Sequence, residues 1–331
     1  MRISVLGSGT WGWAVARLLR QNGHEVMLWA TTEEKAALLA ATGRNPKLGD
    51  AEMPVGTVYT ADPARACRFG EIVIFAVAST YVRSTAERTK AFLRPSQTVV
   101  TLAKGIEKDT LFTMSRVIAD VLAPMPIQIA AVSGPTHAEE VSRDMPTALV
   151  CACGDEDTAK LLVQLFSSPS LRSYACTDVE GAELCGALKN IIALAAGMAR
   201  GLHYGDNALA ALITRGMAEI KRLGLAMGCT PETFDGLAGV GDLMVTCFSS
   251  HSRNMNAGIL IGGGMPAPEA IERIGMVVEG VNALDAAMEL SEKYRIEMPI
   301  ASAVYDVIRR GVRPEDAARA LMVRGRFLGQ N

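Results

Sequence analysis

The sequence predicts an α/β chain, with a doubly wound sheet in the N-terminal half followed by an all-α C-terminal domain. Three observations carry this. The chain opens MRISVLGSGTWG, a short apolar strand (Ile3, Val5, Leu6) running into Gly7, Gly9 and Gly12 in the spacing G-x-G-x-x-G. Up to about residue 178, continuous apolar runs alternate with helical stretches, as expected of strands buried on both faces. Beyond Asp178 strand signals all but vanish and helical periodicity is nearly continuous.

Taken in order, the opening strand and glycine turn lead into a helix over 11–21, whose Ala14, Val15, Leu18 and Leu19 share one face. Asn22-Gly23 supplies a left-handed stop, and a second strand follows at 25–29. In such a Rossmann-type unit the first glycine takes the tight turn and the second lets a dinucleotide pyrophosphate approach the backbone. The third lets the helix pack on the strand with its N-terminus aimed at the phosphates. Further strands are expected at 71–78, 98–102, 127–132 and 147–151. Helices are expected near 80–90, 110–122 and 155–167, the last capped by Asp155 or Asp157 and stopped near Pro169. The second half reads as helices over 179–198, 207–227, 283–294, 300–309 and 314–323. This predicts a dinucleotide-binding domain over 1–180 and a helical substrate and catalytic domain over 181–331, with the helix near Asp178 crossing between them.

Composition narrows the class. With 331 residues there is enough chain for roughly two cores. Basic residues number 33 and acidic ones 35, a balance without the global field that attracts nucleic acid or an anionic membrane. No stretch reaches the roughly 20 apolar residues of a membrane span. A strand beginning at residue 2 leaves no room for a signal peptide, so a cytoplasmic protein is expected. The seven cysteines are scattered without a C-x-x-C pair, and the four histidines lie far apart. Reduced, packed thiols and no metal site are therefore expected.

Chemistry is concentrated in three places. The helix from Asp178 is rich in small residues, with Lys189 at its middle among Cys185, Gly186, Ile192 and Ala193, one turn away, which offer it no polar face. An ammonium held there is desolvated, which lowers its pKa toward the range of proton transfer. Lys189 is thus a candidate catalytic lysine, with Asn190 beside it. In GVGDLMVTC, Asp242 and Thr246 are four apart and share a helical face. Ser252, Arg253 and Asn254 then line up at a helix start, where such donors seat a phosphate or simply form an N-cap with a surface arginine. Lys104-Gly105 and Gly134-Pro135-Thr136 follow strands at the carboxyl ends that face ligands.

In these motifs the chain resembles the bacterial NAD(P)-dependent glycerol-3-phosphate dehydrogenases. GSGTWG at 7–12, KGIE at 104–107, SGPTHAEEV at 133–141, GALKNIIALAAG at 186–197, GLAGVGDLMVTC at 236–247, SRN at 252–254 and VVEG at 277–280 carry the resemblance over essentially the whole chain. It implies reversible reduction of dihydroxyacetone phosphate to sn-glycerol 3-phosphate, a phospholipid precursor, with NAD or NADP and no metal. It also implies that Lys189 is the proton acceptor supported by Asp242 and Thr246. Lys104, Gly134, Thr136, Ser252, Arg253 and Asn254 then hold the substrate together with Lys189 and Asp242. Cofactor positions become Thr10, Trp11, Thr31, Lys104, Ala138, Arg253, Val277 and Glu279, beside the three glycines.

Two departures stand out. Trp13 replaces the small residue expected after Gly12, and its bulk is expected on the packing side. The second strand ends Trp29-Ala-Thr-Thr-Glu-Glu, with neither the carboxylate that binds the ribose 2′-hydroxyl of NAD nor an arginine for NADP, so cofactor preference stays open. Two other readings compete. One is a hydride-transfer enzyme for a keto or hydroxy acid, for which a single bidentate arginine is enough. The other is a redox sensor that binds dinucleotide without turnover and has no need of a buried lysine. The partners expected are a small-molecule substrate and a second copy of the chain in a homodimer, without nucleic acid or membrane span.

Overall fold

The computed structural model describes residues 1–323. The first half alternates strand and helix: β1 (Arg2–Leu6), α1 (Thr10–Gln21), β2 (Glu25–Trp29), α2 (Glu33–Thr42), β3 (Val58–Thr60), α3 (Pro63–Phe69) and β4 (Ile72–Phe75). It continues through α4 (Val82–Thr89), β5 (Thr98–Thr101), α5 (Met114–Leu122), β6 (Gln128–Ser133), α6 (Ala138–Val141), β7 (Thr147–Cys153), α7 (Glu156–Phe166) and β8 (Leu171–Cys176). The strands form one sheet in the order β3-β2-β1-β4-β5-β6-β7-β8, with every neighbouring pair parallel except β6 and β7. Chain order reverses between β1 and β4, which opens a crevice at their carboxyl ends, where ligands of such sheets bind.

Helices cover both faces of the sheet. On one, Ile3, Val5, Ile72 and Ile74 pack under Trp13, Leu18, Leu19 and Phe166; on the other, Leu6, Val73, Phe75 and Val99 pack under Val82, Ala86 and Ile118. Trp13 is fully buried, so its bulk does lie on the packing side.

The helical half comprises α8 (Val179–Gly201), α9 (Asp206–Ala226), α10 (Pro231–Asp235), α11 (Asp242–Phe248), α12 (Arg253–Gly262), α13 (Ala267–Ile274), α14 (Glu279–Tyr294), α15 (Pro299–Arg310) and α16 (Pro314–Val323). Its axis is α8, buried along nearly its whole length. This helix is long and apolar enough to cross a bilayer, contrary to the sequence expectation, yet its apolar window lies wholly inside the protein. Its small residues have a packing role. A Cβ added to Gly197 would stand 2.8 Å from the Cα of Gly258, and one on Gly258 would stand 2.2 Å from the carbonyl oxygen of Leu194. Here α8 and α12 meet main chain to main chain. Only glycine permits that approach.

Side chains near the start of α8 also tie the two halves. Asp178 caps the helix through the Gly181 N–H (2.9 Å) and accepts from the Thr230 N–H (2.9 Å) and the Thr233 hydroxyl (2.8 Å). The buried Glu183 carboxyl reaches back to the first turn of α5, accepting from the Ser115 N–H at 2.8 Å. Burial pushes the pKa of Glu183 up from 4.5 to about 7. A folded carboxyl that holds its proton longer than the unfolded one contributes stability that is complete below about pH 4.5 and lost as pH rises toward 7. Relative to wild type, Glu183→Gln should therefore gain urea resistance between about pH 5 and pH 7.5. Parallel urea midpoints measured across that range check it, and a constant difference counts against it.

Several elements had no prediction, among them β3, α2, β8 and the turn before α11. In β3 there are only three residues, and in α2 only Ala36 and Leu39 are buried. In β8 the burial alternates along the strand instead of running continuously. Between α10 and α11 the backbone makes one π-turn, Leu237–Gly241, of the kind that often marks functional sites.

Candidate active site

The glycine turn fits a dinucleotide phosphate. Gly7 has φ +122°, and a Cβ there would meet the Ala76 carbonyl oxygen at 2.5 Å, while one on Gly12 would meet the Gly7 oxygen at 2.0 Å. Gly9 differs. A Cβ at Gly9 would meet nothing within 4 Å, so the space in front of this backbone is open. Helix α1 has no side-chain cap and no acidic residue in its first turn, and the buried Ser8 hydroxyl has no hydrogen-bond partner. Its N–H groups are left to receive an anion. Thr10 and Trp11 form the start of α1 beside that space.

Past the carboxyl ends of β5 and β6, two lysines converge on one carboxylate. The π-turn delivers Asp242 into the interior, where it is 1 % exposed. Lys189 donates to Asp242 Oδ1 and, at 2.6 Å, to Thr246 Oγ1, which itself donates to the Asp242 backbone carbonyl at 2.6 Å. Lys104 donates to the other oxygen, Asp242 Oδ2, at 2.6 Å and to the Gly134 carbonyl at 3.0 Å. Two ammonium groups facing one carboxylate leave the cluster with a net positive charge. Burial, opposed by Asp242 and aided by Lys104, lowers the Lys189 pKa from 10.5 to about 8. Gly134 has φ +121°, and its carbonyl accepts from both Lys104 and the Thr136 hydroxyl, the latter at 3.1 Å.

Helix α12 brings the second constellation. Ser252 is its N-cap, with Oγ accepting from the Met255 N–H at 3.2 Å, so the cap reading is correct as far as it goes. Arg253 is exposed and has no hydrogen bond or ion pair among the described residues. Asn254 is buried, donating to Asn190 Oδ1 and accepting from the Gly280 N–H, both at 2.9 Å. Asn190 therefore bonds none of Lys189, Asp242 or Thr246, and ties α8 to α12 instead. Ala138 opens α6 and is buried. At the other side of the crevice Glu279, first residue of α14, accepts from the Ser79 hydroxyl at 2.5 Å, just beyond β4, and Val277 precedes it. Thr31 stands exposed two residues past the end of β2.

Three site residues were not read from the sequence. His137 sits between Thr136 and Ala138 with its Nε2 buried and unpartnered; burial and the ammonium groups of Lys189 and Lys104 hold its pKa below the ordinary histidine value. Its place inside a motif was the available signal. Ser133 also has a buried, unpartnered hydroxyl. Gly186 admits Lys104, since a Cβ there would stand 3.2 Å from both Lys104 Cγ and Ser133 Oγ. Among the described residues no group of three or more His, Cys, Asp or Glu side chains is arranged to hold a metal.

Two family models match the chain. The N-terminal model of NAD-dependent glycerol-3-phosphate dehydrogenase covers residues 2–159 and the C-terminal model residues 178–319. The chain is 50 % identical over 327 residues to glycerol-3-phosphate dehydrogenase (NAD(P)+) 2 of Lactobacillus delbrueckii subsp. bulgaricus, covering 98 % of this chain and 97 % of the relative. It is 47 % identical over 324 residues to the Thermoanaerobacter sp. glycerol-3-phosphate dehydrogenase (NAD(P)+), covering 98 % and 97 %. Among solved structures, glycerol-3-phosphate dehydrogenase from Coxiella burnetii superposes with TM-score 0.90 at 33 % identity, over 97 % of this chain and 98 % of that one.

Proposed function

The chain belongs to the NAD-dependent glycerol-3-phosphate dehydrogenase family, and from that premise we propose how its residues carry out the reaction. It is an NAD(P)-dependent oxidoreductase that interconverts dihydroxyacetone phosphate and sn-glycerol 3-phosphate. When bound, the nicotinamide cofactor supplies the hydride for the carbonyl carbon or takes it back. Lys189 supplies the proton to the substrate oxygen in reduction and receives it in oxidation. Asp242 and Thr246 hold the Lys189 ammonium in place, and Lys104 adds a second positive charge beside the developing alkoxide. Arg253, with Ser252 and Asn254, takes the phosphate at the head of α12, while Gly134 and Thr136 line the wall that Lys104 anchors. The glycine turn, Thr10, Trp11, Thr31, Ala138, Val277 and Glu279 serve the cofactor.

The observation that carries this reading is the pairing of a desolvated lysine with a free arginine at a helix start. The cluster gives the reaction a proton and Arg253 gives the substrate an anchor. We assign residues 1–180 to cofactor binding and 181–331 to substrate binding and catalysis, of which 324–331 lie outside the described residues. A cytoplasmic homodimer is our reading of location and assembly. The exposed apolar side chains of Val240 in the π-turn and of Met244 and Phe248 on α11 favour the homodimer, and sedimentation measures it.

The test is NAD(P)H consumption with dihydroxyacetone phosphate against keto acids, run on wild type and Arg253→Ala. A hydrogen bond to a charged group contributes roughly 1.5 to 3 kcal/mol, so the variant should raise KM for dihydroxyacetone phosphate about tenfold to hundredfold. It should also discriminate less than wild type between that substrate and plain dihydroxyacetone. Equal preference ratios in the two proteins would remove Arg253 from phosphate recognition. Turnover of keto acids alone would overturn the substrate assignment.

A further inference from the structure

Dihydroxyacetone phosphate presents a phosphate, a carbonyl oxygen and a terminal hydroxymethyl group. The proposed function gives the phosphate to Arg253 and the carbonyl oxygen to the two lysines, and leaves the hydroxymethyl without a partner. A hydroxyl shut away from water and not hydrogen-bonded is strongly unfavourable, so a site for this molecule needs one more neutral polar group.

Most neutral groups around the cluster are already engaged. Thr246 Oγ1 accepts from Lys189 and donates to the Asp242 carbonyl, both at 2.6 Å, and the Thr136 hydroxyl donates to the Gly134 carbonyl at 3.1 Å. Asn254 is held by Asn190 and the Gly280 N–H, and Ser252 Oγ by the Met255 N–H. Among the described residues, two buried side-chain atoms of the 133–137 segment have no partner, Ser133 Oγ and His137 Nε2. The first is set back. A Cβ on Gly186 would stand 3.2 Å from Ser133 Oγ and 3.2 and 3.4 Å from Lys104 Cγ and Cδ, so this hydroxyl is level with the stem of Lys104 and not with its ammonium.

His137 is placed differently. The segment that carries it passes over the cluster: the Gly134 carbonyl accepts from Lys104 at 3.0 Å, and Pro135 Cδ is 3.7 Å from where a Cβ of Gly241, the residue before Asp242, would stand. The His137 ring then reaches that of His251, with 6.0 Å between centroids, and His251 immediately precedes Ser252-Arg253-Asn254. The imidazole thus borders the space between the lysines and the head of α12. Burial and the Lys189 ammonium hold its pKa below the ordinary histidine value, which keeps it uncharged at neutral pH. A neutral imidazole nitrogen can accept from a hydroxyl or donate to one.

We propose that His137 is a specificity-determining residue, its Nε2 pairing with the free hydroxymethyl group of dihydroxyacetone phosphate. The inference rests on the reaction given above and supplies the group that tells a hydroxymethyl ketone from a methyl ketone. A site that hydrogen-bonds a substrate hydroxyl rejects the analogue without it, because the site's own polar group is then left unpaired.

The test compares dihydroxyacetone phosphate with hydroxyacetone phosphate, in which a methyl replaces the hydroxymethyl, on wild type, His137→Phe, His137→Ala and His137→Gln. Wild type should favour dihydroxyacetone phosphate in kcat/KM. Loss of the nitrogen in His137→Phe or His137→Ala should lower kcat/KM for dihydroxyacetone phosphate about tenfold to hundredfold and leave that for hydroxyacetone phosphate within about threefold. Two sizes of replacement keep the result from hanging on one variant's folding. Comparing ratios between proteins cancels the intrinsic difference in reactivity of the two ketones. His137→Gln, whose amide can reach the position of Nε2, should recover part of the ratio, and NADH affinity by titration should stay within about twofold of wild type throughout. An unchanged ratio overturns the proposal. So does a loss shared equally by the two ketones, which would put the ring at the phosphate or in the fold. Reduction of neither ketone by wild type overturns the reaction itself, a different result from reduction of both at one ratio in every protein.

Discussion

Lys189→Met is expected to lower kcat by about 10²- to 10⁴-fold, the usual contribution of a positioned acid or base. Dinucleotide affinity should stay close to wild type. The variant should fold, because methionine fills a similar volume and Asp242, though buried, keeps Lys104 as its partner at 2.6 Å. The pH profile gives a second readout. Oxidation of glycerol 3-phosphate requires the neutral amine, so wild-type turnover in that direction should rise as pH climbs through about 8, where burial sets Lys189. Reduction requires the ammonium and should fall across the same interval, and the variant should lose this step in both directions. Steady-state kinetics in both directions decides it. Retention of more than about a tenth of wild-type turnover would sink the assignment.

Gly9→Val should remove dinucleotide binding without unfolding the chain. The open space before Gly9 admits the new side chain, and its φ of −66° and ψ of −178° are open to any residue. What the side chain displaces is the pyrophosphate. Losing two hydrogen bonds to a charged group, at about 1.5 kcal/mol each, predicts roughly a hundredfold loss of affinity or more. Thermal melting shows whether the variant is folded, and titration with NADH reads the affinity. A folded variant with unchanged affinity would take the turn out of cofactor binding. The same substitution at Gly12 would not separate the two effects, because a Cβ there strikes the Gly7 carbonyl.

How far the sequence spoke depended on whether a residue's role was local. The β1–α1–β2 unit was legible because its glycines, apolar run and helix stop lie within thirty residues, and β2 begins and ends where expected. Lys189 was legible as buried because the residues one turn away on its own helix are apolar or small. Its partners were not. That Lys104 and Lys189 share the two oxygens of Asp242 depends on a π-turn in the chain before α11 and on glycine at 186, and neither leaves a periodic signal. Asn190 looked catalytic by adjacency, but neighbours in a helix point about 100° apart, so it faces α12 rather than the carboxylate. The small residues of α8 were noticed without their purpose, since the helix they accommodate lies more than fifty residues downstream.

That accommodation sets a length. Side chains between two helices can change rotamer and let the helices slide, but main chains in contact at Gly197 and Gly258 have nothing between them to adjust. Lys189 rides on one of these helices and the Ser252-Arg253-Asn254 group heads the other. The helical half is therefore a caliper, its jaws a proton-bearing amine and an anion seat, locked at one opening by glycines on both helices, Gly197 and Gly258 among them. An alanine at either glycine would touch no ligand, yet it would open the jaws, and the error would be felt at the reacting carbon.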